Sequence, residues 1–220
     1  MTMLNPMYLK GETWGSPGSS VEHRETHAAH VFLCGDRAYK IKKAVKYPYL
    51  DFSTLDLRRS VIERELEINR VFSPVLYAAT TTTLGEPTLV MRRFDENLLL
   101  ANIVDRRLLG DALCLELASM MAKSHQLAKQ CDADGAETVR TLGEQLSKAF
   151  EASQDVFDVH EAKEFNTRFA AKFSRCRELL SSRARQGMVR RCHADAHCGN
   201  IVVFEGKPLL FDAIEFSERI

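Results

Sequence analysis

Two patterns follow one another along this chain, and their order restricts its fold class. Residues 30–43 and 75–94 are rich in β-branched and aromatic side chains, and each stretch contains a glycine turn signal. Such stretches are typical of antiparallel hairpins. From about Asn97 the apolar residues recur at helical spacing instead, which indicates helices. Strands followed by helices predict an α+β protein with two lobes.

A single helix is expected between the two hairpins, at residues 51–72. Ser53 is predicted as its N-cap, because Asp56 three residues later completes a capping-box pattern. The helix would therefore pack beside the strands of the first lobe.

The second part of the chain contains three longer helical patterns, the first at residues 109–130. Two further helices are predicted near residues 136–153 and 160–184, and apolar runs at 201–204 and 208–211 predict a closing hairpin. The first of the three helices has a predicted buried stripe at spacings of three to four residues: Leu113, Leu117, Met120, Met121 and Leu127.

The composition excludes several classes of protein. Hydrophobic residues make up 45% and charged residues 27% of the 220, as in ordinary soluble globular proteins. Thirty Lys and Arg balance thirty Asp and Glu, so no net field attracts nucleic acid or an anionic membrane. There is no secretory signal, no apolar run of about 18 residues and no CxxC pair among the six cysteines. We therefore predict a cytoplasmic protein that binds neither nucleic acid nor membrane, and its oligomeric state is left open.

The most informative stretch is residues 193–200, HADAHCGN, just before a predicted strand. It supplies the carboxylate of Asp195 and, five residues on, the amide oxygen of Asn200. Asp212 follows twelve residues later, and folding of the closing hairpin returns it to this loop. Mg²⁺ prefers such oxygen ligands and keeps positions free for substrate phosphates. The three side chains therefore predict a site for magnesium and a nucleotide.

Residues 193–200 resemble the HGDxHxxN catalytic loop of aminoglycoside phosphotransferases and of the related choline and homoserine kinases. Residues 211–216, FDAIEF, resemble the metal-binding segment of that family. The likeness runs through most of residues 25–216 and is closest to a bacterial branch in which this domain is fused to a P-loop ATPase domain. It implies a protein-kinase-like fold with two lobes. The antiparallel-sheet N-lobe, residues 1–94, would bind the nucleotide, and the helical C-lobe, residues 95–220, would carry the catalytic loop.

The resemblance also implies a role for each matching residue. Asp195 would be the catalytic base that accepts the proton of a substrate hydroxyl, while Asn200 and Asp212 would hold Mg²⁺ against the ATP phosphates. The stretch from Met91 to Arg93 would be the hinge that offers backbone groups to adenine. The implied function is the transfer of the γ-phosphate of ATP to a hydroxyl group of a small molecule, with ATP and Mg²⁺ as cofactors.

By the same resemblance, a lysine on the third strand would contact the α- and β-phosphates, steadied by a carboxylate from the helix. Lys40 matches the small-x-Lys part of the V-A-I-K pattern, and Lys42 remains an alternative because it lies on the same strand face. Glu65 is preferred to Glu63 as the partner, because its helical neighbours are largely apolar and a carboxylate on that side needs a cation. Glu215 is a further candidate for a contact with metal or substrate.

Three features depart from the family pattern. Position 194 is Ala where the family has Gly, the phosphate-covering loop near residues 26–30 contains no glycine, and the chain ends at Ile220. Family members continue with helices that complete the second lobe, so an incomplete C-lobe is expected. A partial chain, a naturally short protein and a degenerate one are all left open. A degenerate chain would be an inactive kinase-like module for nucleotide binding or interaction.

A further alternative is a metallohydrolase with an HxDxH zinc site. His193 and His197 would then bind zinc, with His125 or His160 available to complete the site. The spacing to Asn200 and the later Asp favour the kinase interpretation, in which both histidines bond the loop backbone.

Overall fold

The computed structural model describes residues 4–47 and 50–215, so Phe216 at the end of the FDAIEF segment lies outside the described residues. The strands are β1 (Val21–Glu25), β2 (Ala29–Cys34), β3 (Arg37–Lys42), β4 (Lys46–Tyr47), β5 (Leu50–Asp51), β6 (Tyr77–Thr83), β7 (Glu86–Arg92), β8 (Ile201–Phe204) and β9 (Lys207–Leu210). The α-helices are α1 (Leu55–Phe72), α2 (Leu100–Asp105), α3 (Asp111–Leu127), α4 (Gly135–Ala152) and α5 (Val159–Arg185). Short 3₁₀ helices occupy Pro6–Leu9, Gly11–Trp14, Glu96–Leu98 and Cys198–Asn200. This succession confirms the predicted α+β class.

The chain divides into two compact units. The first unit contains the described residues of Met1–Leu127 and His193–Glu218, and the second contains Ala128–Cys192. The closing β8–β9 hairpin therefore returns to the unit that holds the first hairpins. The lobe boundary expected at residue 94 is not the boundary between these units, and the division into two lobes stays a prediction.

Five antiparallel strands of the first unit form one sheet, in the order β1-β2-β3-β7-β6. The β2–β3 and β6–β7 hairpins turn at glycines 35 and 85, as predicted. Strand β1, which was not predicted, pairs with β2 at the edge of the sheet. Strand β3 lies in the centre, where Lys40 is opposite Val31 of β2 and Leu89 of β7.

The two faces of β3 meet different surroundings because successive side chains point to opposite sides of a strand. On one face, Tyr39 stacks on Trp14 with ring centroids 4.4 Å apart. Trp14 and Tyr8 come from the two N-terminal 3₁₀ helices, and the Trp14 indole Nε1 donates a hydrogen bond to the Tyr8 carbonyl at 2.9 Å. The other face carries Lys40 and Lys42. The N-terminal segment thus covers the side of the sheet away from these lysines.

Helix α1 packs on the lysine-bearing face, with Ile62 and Leu89 in one buried cluster. Its N-cap is Thr54, whose hydroxyl accepts a hydrogen bond from a first-turn N–H, so the prediction of Ser53 was wrong by one residue. The Ser53 hydroxyl instead donates to Asp51 at 2.6 Å. Adjacent Ser and Thr are both good caps, and here the Ser53 hydroxyl is already bound to Asp51.

The β8–β9 hairpin and helix α3 complete the core of the first unit. Val202 is fully buried in the cluster that contains Ile62. Four of the five predicted stripe residues of α3 pack against the cluster of Leu100, Ile201 and Leu210, namely Leu113, Leu117, Met120 and Met121. Leu127 is 62% exposed, so its prediction as a stripe residue was wrong.

The second unit is built around α4 and α5, which confirm the two predicted helices and pack against each other. A methyl group at Gly143 of α4 would lie 2.1 Å from Cε1 of Phe169 on α5, so this close approach requires glycine. Neither these helices nor any other in the described part of the chain is both long and apolar enough to cross a membrane.

Candidate active site

A cavity of about 570 Å³ lies in the first unit, between the lysine-bearing face of the sheet and the segment from Asp195 to Glu215. Lys40, Lys42, Asp195, Asn200 and Asp212 all line it, as do Met91 and Arg93. Its apolar lining includes Val31, Ala38, Leu76, Phe211 and Ile214. The residues selected from the sequence as candidate site residues are therefore brought to one cavity, apart from Glu65, which lies behind the two lysines.

Five charged side chains form a chain of alternating sign along one wall of the cavity. The Lys40 Nζ donates to Oδ1 of Asp212 at 2.5 Å and to Oε1 of Glu65 at 2.7 Å. The Lys42 Nζ lies 2.7 Å from the other Glu65 oxygen, Oε2, and donates to Oε1 of Glu215 at 2.6 Å. Glu65 is completely buried, whereas Glu63 is exposed. Both candidate lysines thus contact the same carboxylate.

The neighbouring charges shift the pKa values of Lys40 and Asp212 in opposite directions. Burial alone would lower the pKa of Lys40, but the carboxylates of Asp212, Glu65 and Glu215 outweigh it and raise the pKa well above its ordinary value. Burial alone would raise the pKa of Asp212, but the positive charges of Lys40 and Lys42 outweigh it, so the pKa is lowered. The Asp212 side chain is nevertheless 44% exposed to the cavity, so it remains accessible to a cation.

The loop at residues 193–200 is organised by its own side chains. The Asn200 Nδ2 donates to the backbone oxygen and to Oδ2 of Asp195, both at 3.0 Å. This engagement leaves the Asn200 Oδ1 as the atom suited to a cation. The His193 Nε2 donates to the Phe211 carbonyl at 2.8 Å, and its Nδ1 accepts from the Asp195 N–H at 3.4 Å. The acceptance at Nδ1 requires a neutral ring, and burial lowers the pKa of His193 accordingly.

Two side chains hold the segment that contains Asp212. Asp212 has a left-handed backbone, φ 62°, and its N–H donates to the Tyr77 hydroxyl at 2.9 Å. The next N–H, of Ala213, donates to Oδ1 of Asn69 at 2.9 Å. Asn69 is one helical turn after Glu65 on α1, so the same helix face holds both the carboxylate and this segment. Sequence reasoning missed Tyr77 and Asn69, although the i,i+4 spacing to Glu65 was a signal for Asn69.

Ala194, the residue before Asp195, has φ 67°. The family pattern places Gly here, and the left-handed conformation gives the physical reason, since it costs a residue with a Cβ roughly 1–2 kcal/mol. The strain predicted for Ala194 is therefore present.

The hinge stretch borders the cavity, but part of its backbone is already bonded. The Arg92 N–H donates to the Leu76 carbonyl and the Arg93 N–H to the Asp36 carbonyl, each at 2.8 Å. Contacts from these two residues to a base would therefore use their carbonyl groups. Met91 contributes its side chain to the cavity lining.

The glycine-free loop near residues 26–30 is the turn between β1 and β2, and its tip borders the cavity. The Lys43 Nζ donates to the Thr26 carbonyl at 2.5 Å, and the Thr26 hydroxyl accepts from the Ala29 N–H at 3.0 Å. Side-chain bonds thus hold this turn without the conformational freedom of glycine.

The histidines of the HxDxH stretch bond the loop rather than converge on a zinc site. The His197 Nδ1 accepts from the Gly199 N–H at 3.0 Å, and His193 bonds Phe211 as above. Among the described residues, no group of three or more His, Cys, Asp and Glu side chains is arranged to hold a metal ion.

A family model described as the phosphotransferase enzyme family (APH) matches residues 61–212. The match includes most of α1 and every residue from Asp195 to Asp212. The chain belongs to this family, and its sheet and helices form an α+β, kinase-like fold.

The relatives found among curated proteins carry no assigned function. Uncharacterized proteins of Mycobacterium tuberculosis and Mycobacterium bovis are 30% identical to the chain over 212 residues, or 91% of its length. The chain spans 42% of the length of these relatives.

Proposed function

We propose that this chain is the kinase part of an ATP-dependent phosphotransferase that moves the γ-phosphate of ATP to a hydroxyl group of a small molecule. The observation that carries the proposal is the shared cavity of Lys40, Asp195, Asn200 and Asp212. Phosphoryl transfer depends mainly on positioning and charge neutralisation, and these side chains supply both. Membership of a phosphotransferase family supports the same reaction class.

The donor set fits Mg²⁺, which would supply charge neutralisation at the phosphates. Asp212 offers a partly exposed carboxylate and Asn200 a free amide oxygen, and Mg²⁺ is usually bound through one or two carboxylates and substrate phosphates. Lys40 would turn its Nζ from Asp212 toward the α- and β-phosphates. Asp195 would orient the acceptor hydroxyl and take its proton. Both carboxylate partners of Lys42 are buried, whereas the Asp212 partner of Lys40 is 44% exposed to the cavity, which favours Lys40 as the phosphate-contacting lysine.

The acceptor and the setting of the reaction are part of the proposal. We propose a small hydroxyl-bearing substrate, and no nucleic acid or membrane partner because the net charge is zero. The six free cysteines support a cytoplasmic location as part of the same proposal. Because the chain spans less than half of the length of its relatives, the phosphate acceptor of the whole protein is also a proposal.

Turnover of ATP with a panel of hydroxylated metabolites tests this function. Asp195→Asn keeps the shape of the side chain but removes the base, so kcat should fall by roughly 10²–10⁴, while Mg·ATP still raises the melting temperature. Asp132→Asn, at an exposed position of the second unit, is the matched control and should retain full activity. Wild-type rates in Asp195→Asn would contradict the assigned role. A thermal shift without turnover of any acceptor would favour an inactive nucleotide-binding module.

A further inference from the structure

Lys42 and Glu215 form a second ion pair at the wall of the proposed nucleotide site. Their side chains are 4% and 8% exposed, and Lys42 also lies 5.3 Å from the centroid of the Phe52 ring. The kinase pattern requires one lysine and one helical glutamate. This chain has two lysines on one glutamate, and the second lysine has its own carboxylate partner.

When Lys40 leaves Glu65 in the proposed mechanism, Lys42 is the cation that stays beside this buried carboxylate. A fully buried carboxylate is costly without a cation, and Lys40 is the cation that must turn toward the phosphates. The Glu65 Oε2 accepts no hydrogen bond in the described part of the chain, but it faces the Lys42 charge at 2.7 Å. Lys42 therefore keeps Glu65 neutralised when Lys40 moves.

The position of Glu65 also matters for the metal-binding segment. Asn69 lies on the same face of α1, and its Nδ2 donates to the Glu65 carbonyl at 2.9 Å while its Oδ1 holds Ala213. A shift of α1 would therefore displace Asp212 as well. Neutralisation of the Glu65 charge would therefore keep both Lys40 and Asp212 in position.

We propose that Lys42, anchored by Glu215, is a positioning residue that compensates the charge of Glu65 and so frees Lys40 to bind the nucleotide phosphates. This inference rests on the proposed function. It assigns Lys42 an indirect role, without contact to the nucleotide. The charge count agrees: removal of Lys42 and Glu215 together leaves the net charge of the cluster at minus one but makes Lys40 the sole cation of Glu65.

The test compares this removal in two backgrounds. The Kd of Mg²⁺ with a non-hydrolysable ATP analogue is measured by calorimetry for Lys42→Met/Glu215→Gln and for wild type. The same pair of substitutions is then introduced into Glu65→Gln. We expect Kd to rise about tenfold in the wild-type background, because Lys40 cannot leave Glu65. In the Glu65→Gln background the rise should be less than about twofold, because no buried carboxylate is left to compensate. Lys46→Met/Asp51→Asn, which removes an exposed ion pair, is the control and should leave Kd unchanged.

Each other outcome overturns the inference. A tenfold rise in both backgrounds would mean that Lys42 acts directly on the nucleotide or only through folding, and no rise in either would mean that it has no part in binding. Replacement of both members of a buried pair is often neutral for stability. Should the double variant nevertheless unfold, Glu215→Gln alone replaces it, with an expected threefold rise that is abolished by Glu65→Gln. Absence of binding by wild type would refute the proposed function itself, whereas binding by wild type with an unaffected variant refutes only the role of Lys42.

Discussion

Ala194 and Asp212 both have left-handed backbones beside the cavity, but the two residues tolerate this conformation differently. Both residues have a Cβ, but the short polar side chain of Asp can compensate for the left-handed backbone by a local hydrogen bond, whereas Ala has no polar group. The family pattern pointed to a missing glycine at position 194. No sequence signal indicated the left-handed backbone of Asp212, because Asp is common in many backbone conformations.

Replacement of Ala194 by Gly should stabilise the protein. Glycine removes the left-handed strain but gains freedom in the unfolded chain, so we expect a net increase of about 1 kcal/mol in the free energy of unfolding. Urea denaturation measures it. A loss of stability in Ala194→Gly would contradict the strain assigned to this residue.

Tyr77 supports Asp212 through one hydrogen bond, and Tyr77→Phe tests it. The substitution leaves the Asp212 N–H without its acceptor in a buried place, which should lower the free energy of unfolding by about 1–3 kcal/mol and reduce ATP turnover. Tyr47→Phe, which alters an exposed hydroxyl that bonds the His27 carbonyl, is the control, with an expected change below about 0.5 kcal/mol. Equal effects of the two substitutions would refute the supporting role of Tyr77.

At the scale of elements, local patterns predicted four of the five α-helices and three of the five antiparallel hairpins in the described part of the chain. The β2–β3, β6–β7 and β8–β9 hairpins and helices α1, α3, α4 and α5 all lie where alternation, turns and helical spacing indicated. Strand β1 was missed because its pattern, VEHRE, is polar and only pairing with β2 makes it a strand. The N-cap of α1 was misplaced by one residue, and the predicted stripe of α3 was extended too far, to Leu127, which is exposed.

The β1–β2 hairpin gives the protein a pH dependence. The His23 Nε2 and the His30 Nδ1 are 3.0 Å apart, and burial, with Lys43 and His23, lowers the pKa of His30 against the opposing effect of Glu25. The unfolded chain then takes up a proton near pH 6.5, before the folded chain does. The stabilising contribution is complete above pH 6.5 and is lost as the pH falls through 6.5 toward the folded pKa.

Urea denaturation at pH 7.5 and 5.5 measures this dependence. We expect a lower free energy of unfolding at pH 5.5, and a smaller difference between the two pH values for His30→Asn. An identical pH difference in wild type and His30→Asn would show that another group is responsible.

At the scale of the whole molecule, the sequence and the family resemblance predicted which residues meet at the site. They did not predict that two lysines would share one carboxylate. Asn200 and Asp212 were predicted to meet because the closing hairpin returns Asp212 to the loop, and Lys40 and Glu65 were added to them by the family resemblance. The contacts of Lys42 with Glu215 depend on how the segment after β9 lies against β3, which no local spacing specifies. The covering of the sheet by the N-terminal 3₁₀ helices also went unpredicted, because the Gly, Ser and Pro residues of positions 1–20 indicate irregular structure, although Tyr8 and Trp14 lie among them.

The N-terminal covering should be essential to the stability of the whole sheet. Trp14 is 6% exposed and stacks on Tyr39 and Phe32, so Trp14→Ala should lower the free energy of unfolding by about 3–5 kcal/mol. Leu9→Ala in the same segment, where Leu9 is 48% exposed, should change it by less than about 0.5 kcal/mol. Chemical denaturation compares the two, and similar effects would contradict a specific role for Trp14.

The arrangement has a practical consequence for expression work. A gene shortened to start after Trp14 would encode a protein that lacks the cover on the sheet face opposite Lys40 and Lys42. We expect this product to aggregate or to lose ATP turnover, although it retains every candidate site residue. Loss of activity in this shortened protein would then be caused by the exposed hydrophobic surface and not by a change in the candidate active site. Affinity tags are therefore better joined ahead of this segment than exchanged for it.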